Sequence, residues 1–88
     1  MSWNYRVILD RWTNKDGEIE ECYEIHEVYY NDKTGKIKNI SKDAQDPHGS
    51  TLGELVESLR AMLRATEKPI LEEAFDKGGR WIVREVKE

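Results

Sequence analysis

The chain has 88 residues, 38% of them apolar and 36% charged, with three Trp and four Tyr. That is the size of one small domain, 1–88, and its aromatic and aliphatic content is too high for a disordered segment. The net charge of −4 is spread evenly, with 10 acidic and 7 basic side chains in residues 1–49 and 8 and 7 in residues 50–88, so no basic tail offers a nonspecific hold on nucleic acid or an anionic membrane.

Residues 3–12, WNYRVILDRW, are rich in strand formers. Trp3, Tyr5, Val7 and Leu9 alternate onto one face, and Asn4, Arg6, Ile8 and Asp10 onto the other. Asp16-Gly17 then marks a hairpin turn, and residues 21–30, ECYEIHEVYY, form the second strand. A second turn ends at Gly35, and the short, lysine-flanked KIKNI (36–40) reads as a third, edge strand. Residues 41–50 are a polar loop.

The stretch GSTLGELVESLRAMLRATEKP (49–69) reads as one helix over 51–66. Thr51 and Glu54 form a capping box at its start, and Pro69 disfavours helical geometry at Lys68. Leu52, Leu55, Val56, Leu59, Met62 and Leu63 fall on one stripe. The three-strand meander is expected to cover that stripe, through Leu55, Leu59 and Met62. After Pro69, ILEEAFDKGG predicts a short second helix, with Ile70, Leu71, Ala74 and Phe75 on one side and Gly78 or Gly79 as its stop. Residues 80–86, RWIVREV, predict a C-terminal strand. The expected fold is α+β: a three-stranded antiparallel meander, one long amphipathic helix across it, a short second helix and a final strand (β-β-β-α-α-β).

Tyr5, Val7, Asp16, Gly17, Gly49, Thr51, Leu52 and Glu54 give a pattern that resembles the HicB-like antitoxin domain. This resemblance implies a regulatory, toxin-neutralising role. The family's Pro-Asp-x-Pro-Gly segment after the second strand is replaced here by EVYYNDKTGK, and its C-terminal DNA-binding module has no counterpart in these residues. Separately, MSWNYRVI, YEIHEVYYND and LRAMLRATEKPIL are similar to a set of small bacterial proteins sharing that start, an IHEVYY strand and a helix ending in K-P-V/I-L. That likeness spans about residues 1–72, implies a shared fold and assigns no activity.

Cys22 is the one cysteine, which excludes an intrachain disulfide. Cys22 and His26 are four apart, but along a strand that separates their Cα atoms by about 13 Å, too far for two ligands of one zinc ion. His26 lies between Glu24 and Glu27, and a hydrolase centred on it would need a nucleophile, for which Cys22 and Ser2 are the candidates by elimination. Lys33, Lys36, Lys38 and Lys42 beside Tyr29 and Tyr30 offer a nucleic-acid-binding edge; charge protection of an edge strand accounts for the same residues. No catalytic, cofactor-binding or metal site is expected.

The opening residues lack the pattern of a signal peptide and no apolar run approaches the ~20 residues of a membrane span, so a cytoplasmic chain without membrane contact is expected. With one sheet face under the helix, Trp12, Val28, Tyr30, Trp81 and Val83 remain as material for the second. They are the expected contact surface of a non-enzymatic interaction module that self-associates or binds a protein partner, with nucleic acid disfavoured.

Overall fold

Two long strands frame the molecule. In a computed structural model that describes residues 2–87, β1 (Ser2–Thr13) and β2 (Ile19–Tyr30) pair antiparallel from Ser2 opposite Tyr30 to Thr13 opposite Ile19. Then come β3 (Ile37–Ile40), α1 (Leu52–Ala65), β4 (Leu71–Phe75) and β5 (Trp81–Glu85). The sheet order is β3-β2-β1-β4-β5. β4 runs parallel to β1, with Leu71 opposite Ile8, and every other pairing is antiparallel.

The expected β-β-β-α-α-β fold is therefore corrected to a mixed five-stranded sheet with one helix. The segment read as a second helix is β4. A helix would bury Leu71 and Phe75 together, one turn apart. Instead Leu71 is 3% exposed and Phe75 72% exposed. The competing demand is the second edge of β1: β2 pairs only one side of this strand, and the backbone groups on its other side need partners. β4 supplies them, and β5 is its hairpin partner within the same chain. Arg6 secures the junction, its Nη2 donating to the Pro69 carbonyl at 2.8 Å and its Nη1 to the Tyr30 hydroxyl at 3.2 Å.

The Gly-Gly pair read as a helix stop belongs to a hairpin built like the first one. At Asn14–Glu18 the Asn14 side-chain oxygen accepts from the Asp16 and Glu18 amides, and Gly17 takes φ 82°. At Asp76–Arg80 the Asp76 Oδ1 accepts from the Gly78 and Arg80 amides, both at 2.9 Å, and Gly79 takes φ 80°. Both are Asx turns closed by a glycine in the left-handed region. The Arg80 amide, and after it the Gly78 amide and the Arg80 side chain, hold the Asp76 carboxyl below its ordinary value of 3.8. A group depressed in the folded state lends stability that is complete above its ordinary range and is lost as pH falls through its folded value. Exchange protection of the Gly78 and Arg80 amides is therefore expected to be complete above about pH 5 and to fall on acidification below the ordinary carboxylate range. Asp76→Asn, which restores the residue type of the first turn, is expected to remove that dependence. Equal acid loss in both proteins would show that Asp76 does not govern this turn.

The sheet is buried on both faces: Val7 and Leu9, at 8% and 3% exposure, lie on the expected face with α1, and a second cluster fills the opposite, inner face. Ile8, Val28, Ile40 and Leu71 form the buried cluster, with Tyr30, Ile37 and Val83 packed on it. β3 and β5 stand at opposite ends of the strand order yet meet in this cluster, so the sheet curls into a nearly closed barrel. Trp3 and Tyr23, on the same face as Val7 and Leu9, are about half exposed at 50% and 53%.

α1 lies against β1 on the outer face that carries Tyr5 and Val7. Its start is capped by the Thr51 hydroxyl, which accepts from the Glu54 amide at 3.1 Å, while the Glu54 carboxylate reaches the Ser50 amide at 2.8 Å. Of the expected seat through Leu55, Leu59 and Met62, Met62 is buried and Leu55 half-buried, and Leu59 is the departure. Met62 and Ala65 are buried, whereas Leu52, Leu59 and Leu63 are 77%, 48% and 66% exposed. Small side chains at 58, 61 and 65 share the less exposed side of the helix with Met62, and Leu52, Leu59 and Leu63 lie off that side. Among the described residues no helix is long and apolar enough to cross a membrane.

Candidate functional site

The mouth of the barrel opens into a cleft of about 510 Å³. Ile8 and Ile40 line it beside Asp10, Glu24, His26, Glu73, Phe75 and Trp81. β2's alternation puts Glu24 and His26 on the inner face, and the Phe75–Trp81 register sets two aromatic rings on the rim.

His26 is 7% exposed and anchors the segment that follows β3. Its Nδ1 lies 2.8 Å from the Ser41 carbonyl, its Nε2 lies 3.3 Å from Glu24 Oε1, and the Ser41 hydroxyl is 3.3 Å from Nδ1. Ser, His and Glu thus stand in a row, as a hydrolytic triad does. The hydrogen bonding departs from that mechanism. A carbonyl only accepts, so Nδ1 carries a proton and donates it to Ser41 O, leaving no lone pair to draw the hydroxyl proton. The Ser41 hydroxyl is itself engaged, donating to Asp43 O at 3.0 Å and accepting from the Glu27 amide at 3.2 Å. This arrangement fastens residues 41–43 to β2. The Gln45 amide extends the seam by donating to Ile25 O at 2.8 Å.

Cys22 shares the inner-face alternation with His26 but is four residues away along the extended strand. Among the described residues no group of three or more His, Cys, Asp or Glu is placed to hold a metal ion. On the lysine edge the aromatics are tied down. Tyr30 donates its hydroxyl to Asn4 Oδ1 at 2.8 Å and packs on the core. Tyr29 donates to Glu27 at 2.7 Å, and that bond, with partial desolvation, raises its hydroxyl above the ordinary value of 10.0. A base-stacking platform needs free ring faces on the surface, and Tyr30 does not provide one.

Of the five residues expected to face a partner, Val28 is fully buried, and Tyr30 and Val83 pack inside the barrel. The chain's own β4–β5 hairpin covers that face. Trp12 and Trp81 stay at the surface, 43% and 39% exposed. The surface that sequence reasoning missed is on α1. Leu52, Leu59 and Leu63 recur at i, i+7 and i+11, form a ridge about 16 Å long and stand away from the sheet. The ridge ends beside a groove of about 290 Å³ lined by Val7, Tyr23, Glu24, Ile25, Thr66 and Ile70.

The residues behind the HicB-like resemblance do local structural work: Asp16 and Gly17 build a turn, and Thr51 and Glu54 cap α1. Comparison of the chain with family models, curated proteins and solved structures gave no match.

Proposed function

We propose that this chain is a non-enzymatic interaction module that binds a protein partner through the outward side of α1. One observation carries the reading. A helix already anchored by Met62 and Ala65 exposes three leucines in line, which bury little of their surface there. Aligned apolar side chains on a helix are the usual anchors of helix-mediated recognition. The cleft chemistry supports the same reading, because the Ser41 hydroxyl and His26 are spent on holding a loop.

Leu59→Lys/Leu63→Lys is the test. Both side chains are exposed, so the stability of the variant is expected to stay within about 1 kcal/mol of wild type by urea melting. Capture from native lysate, read by mass spectrometry, is expected to enrich a protein with wild type and to lose it with the variant. This includes tagged bait retaining untagged chain. Enrichment that survives both lysines, or hydrolytic turnover abolished by His26→Gln in a folded protein, would overturn the proposal.

A further inference from the structure

The geometry points to a guanidinium group as the ligand of the cleft at the mouth of the barrel, carried by a small free molecule or by an arginine side chain of another polypeptide. The inference rests on the cleft alone and is independent of the reading of α1.

Its first support is a pair of acceptors with no donor between them. His26 donates its Nδ1 proton to the Ser41 carbonyl, 2.8 Å away, so the neutral ring presents a lone pair at Nε2. The group it meets there is the Glu24 carboxylate, whose Oε1 lies 3.3 Å off and only accepts. Both side chains line the cleft, and His26 is 7% exposed. A buried acceptor left without a donor is costly. A ligand N–H entering here serves Nε2 and Oε1 together.

Charge gives the sign of that ligand. Asp10 and Glu73 stand two residues beyond Ile8 and Leu71, on the same inner side, at the cleft wall. Neither makes a hydrogen bond or ion pair among the described residues. Of the cations at the cleft, Arg11 is held by Glu21 and Glu72 at 3.4 and 3.5 Å. That leaves the exposed Lys42 against the carboxylates of Asp10, Glu24 and Glu73.

The rim selects the shape. Phe75 and Trp81 are opposite one another across β4 and β5, and both are exposed. A guanidinium is planar, so it can stack on a ring while the N–H groups of its edge point at carboxylates; a compact ammonium has no such plane. The volume of about 510 Å³ falls within the range of small-ligand sites, about 300–1,000 Å³, and leaves room for an alkyl body against Ile8 and Ile40.

Titration of the full chain with acetyl-arginine methylamide and with agmatine, followed by nuclear magnetic resonance, tests this. Both are expected to bind saturably with a Kd below about 5 mM. The Trp81 indole signal is expected to shift, while that of Trp3, beside α1, stays fixed. Acetyl-citrulline methylamide keeps the shape without the charge and is expected to bind at least about tenfold more weakly. Glu24→Gln/Glu73→Gln is expected to weaken both guanidinium probes by about tenfold or more, and Phe75→Ala, which removes an exposed ring, by about threefold. Leu59→Lys/Leu63→Lys is expected to bind them as wild type does. Tighter binding of the arginine derivative assigns the site to a polypeptide side chain, and tighter binding of agmatine to a free molecule; each supports the inference. Absence of saturable binding, equal affinity for the citrulline derivative, or a folded Glu24→Gln/Glu73→Gln or Phe75→Ala chain that binds as wild type overturns it.

Discussion

Truncation of Leu71 to alanine is expected to cost about 2–5 kcal/mol, while truncation of Phe75 costs less than about 1 kcal/mol. Leu71 is 3% exposed and packs with Ile8, Val28 and Ile40 at the point where β4 meets β1. Removing its branch leaves a cavity between strands that close the barrel, with little freedom to collapse onto it. Phe75 lies four residues on, two strand repeats along the same face, but beyond the core at the cleft rim, 72% exposed. The contrast separates the two structures available to residues 70–75. A helix would bury both side chains together, and both truncations would then be severe. Urea melts of the two variants decide it, and equal large losses would refute β4. Against a total stability of roughly 5–15 kcal/mol for a small domain, the Leu71 change alone threatens folding at 37 °C.

Gly49→Ala is expected to cost about 1–3 kcal/mol, and Gly53→Ala, four residues on, to stabilise by up to about 1 kcal/mol. A Cβ at Gly49 would lie 2.5 Å from the Leu55 amide nitrogen and 2.6 Å from Glu54 Cβ. Those atoms belong to the first turn of α1, fixed by the Thr51 cap, so the loop would have to move away from the helix. At Gly53, inside the helix, a Cβ meets only Thr51 Oγ1, at 3.8 Å. There alanine reduces the freedom of the unfolded chain without a clash. Melting temperatures that move in the same direction for both variants would count against this account of the helix entry.

The β1–β2 hairpin and α1 were legible because their signals are local. Asn14 to Gly17 builds its own turn, Thr51 and Glu54 cap their own helix, and both lie beside long periodic runs. The β4–β5 turn carried the same signal: DKGGR repeats the pattern of NKDGE, an Asx residue followed three positions later by a glycine. Read beside that first turn, it marks a hairpin rather than a helix stop. The ridge on α1 was half legible. Its apolar spacing is plain in the sequence, but a stripe of six apolar residues spans more of the helix than one flat contact covers. Which part is buried depends on how closely the backbone approaches the sheet.

By itself the sequence determined the turns, the caps and the alternation of each strand, because these follow from the bonding and φ preferences of a few neighbouring residues. Only the tertiary structure decided that residues 71–75 extend rather than coil, that a second core cluster forms on the inner face of the meander, and that Leu52, Leu59 and Leu63 stand away from the sheet. Each of those outcomes depends on a partner distant in the chain: the unpaired edge of β1 for β4, the curl that brings β3 to β5 for the core, and Met62 and Ala65 on β1 for the helix. Backbone pairing and burial across such distances outweigh the propensity of a five-residue segment, which is worth less than a kcal/mol per residue, about 0 to 0.7 for ordinary side chains.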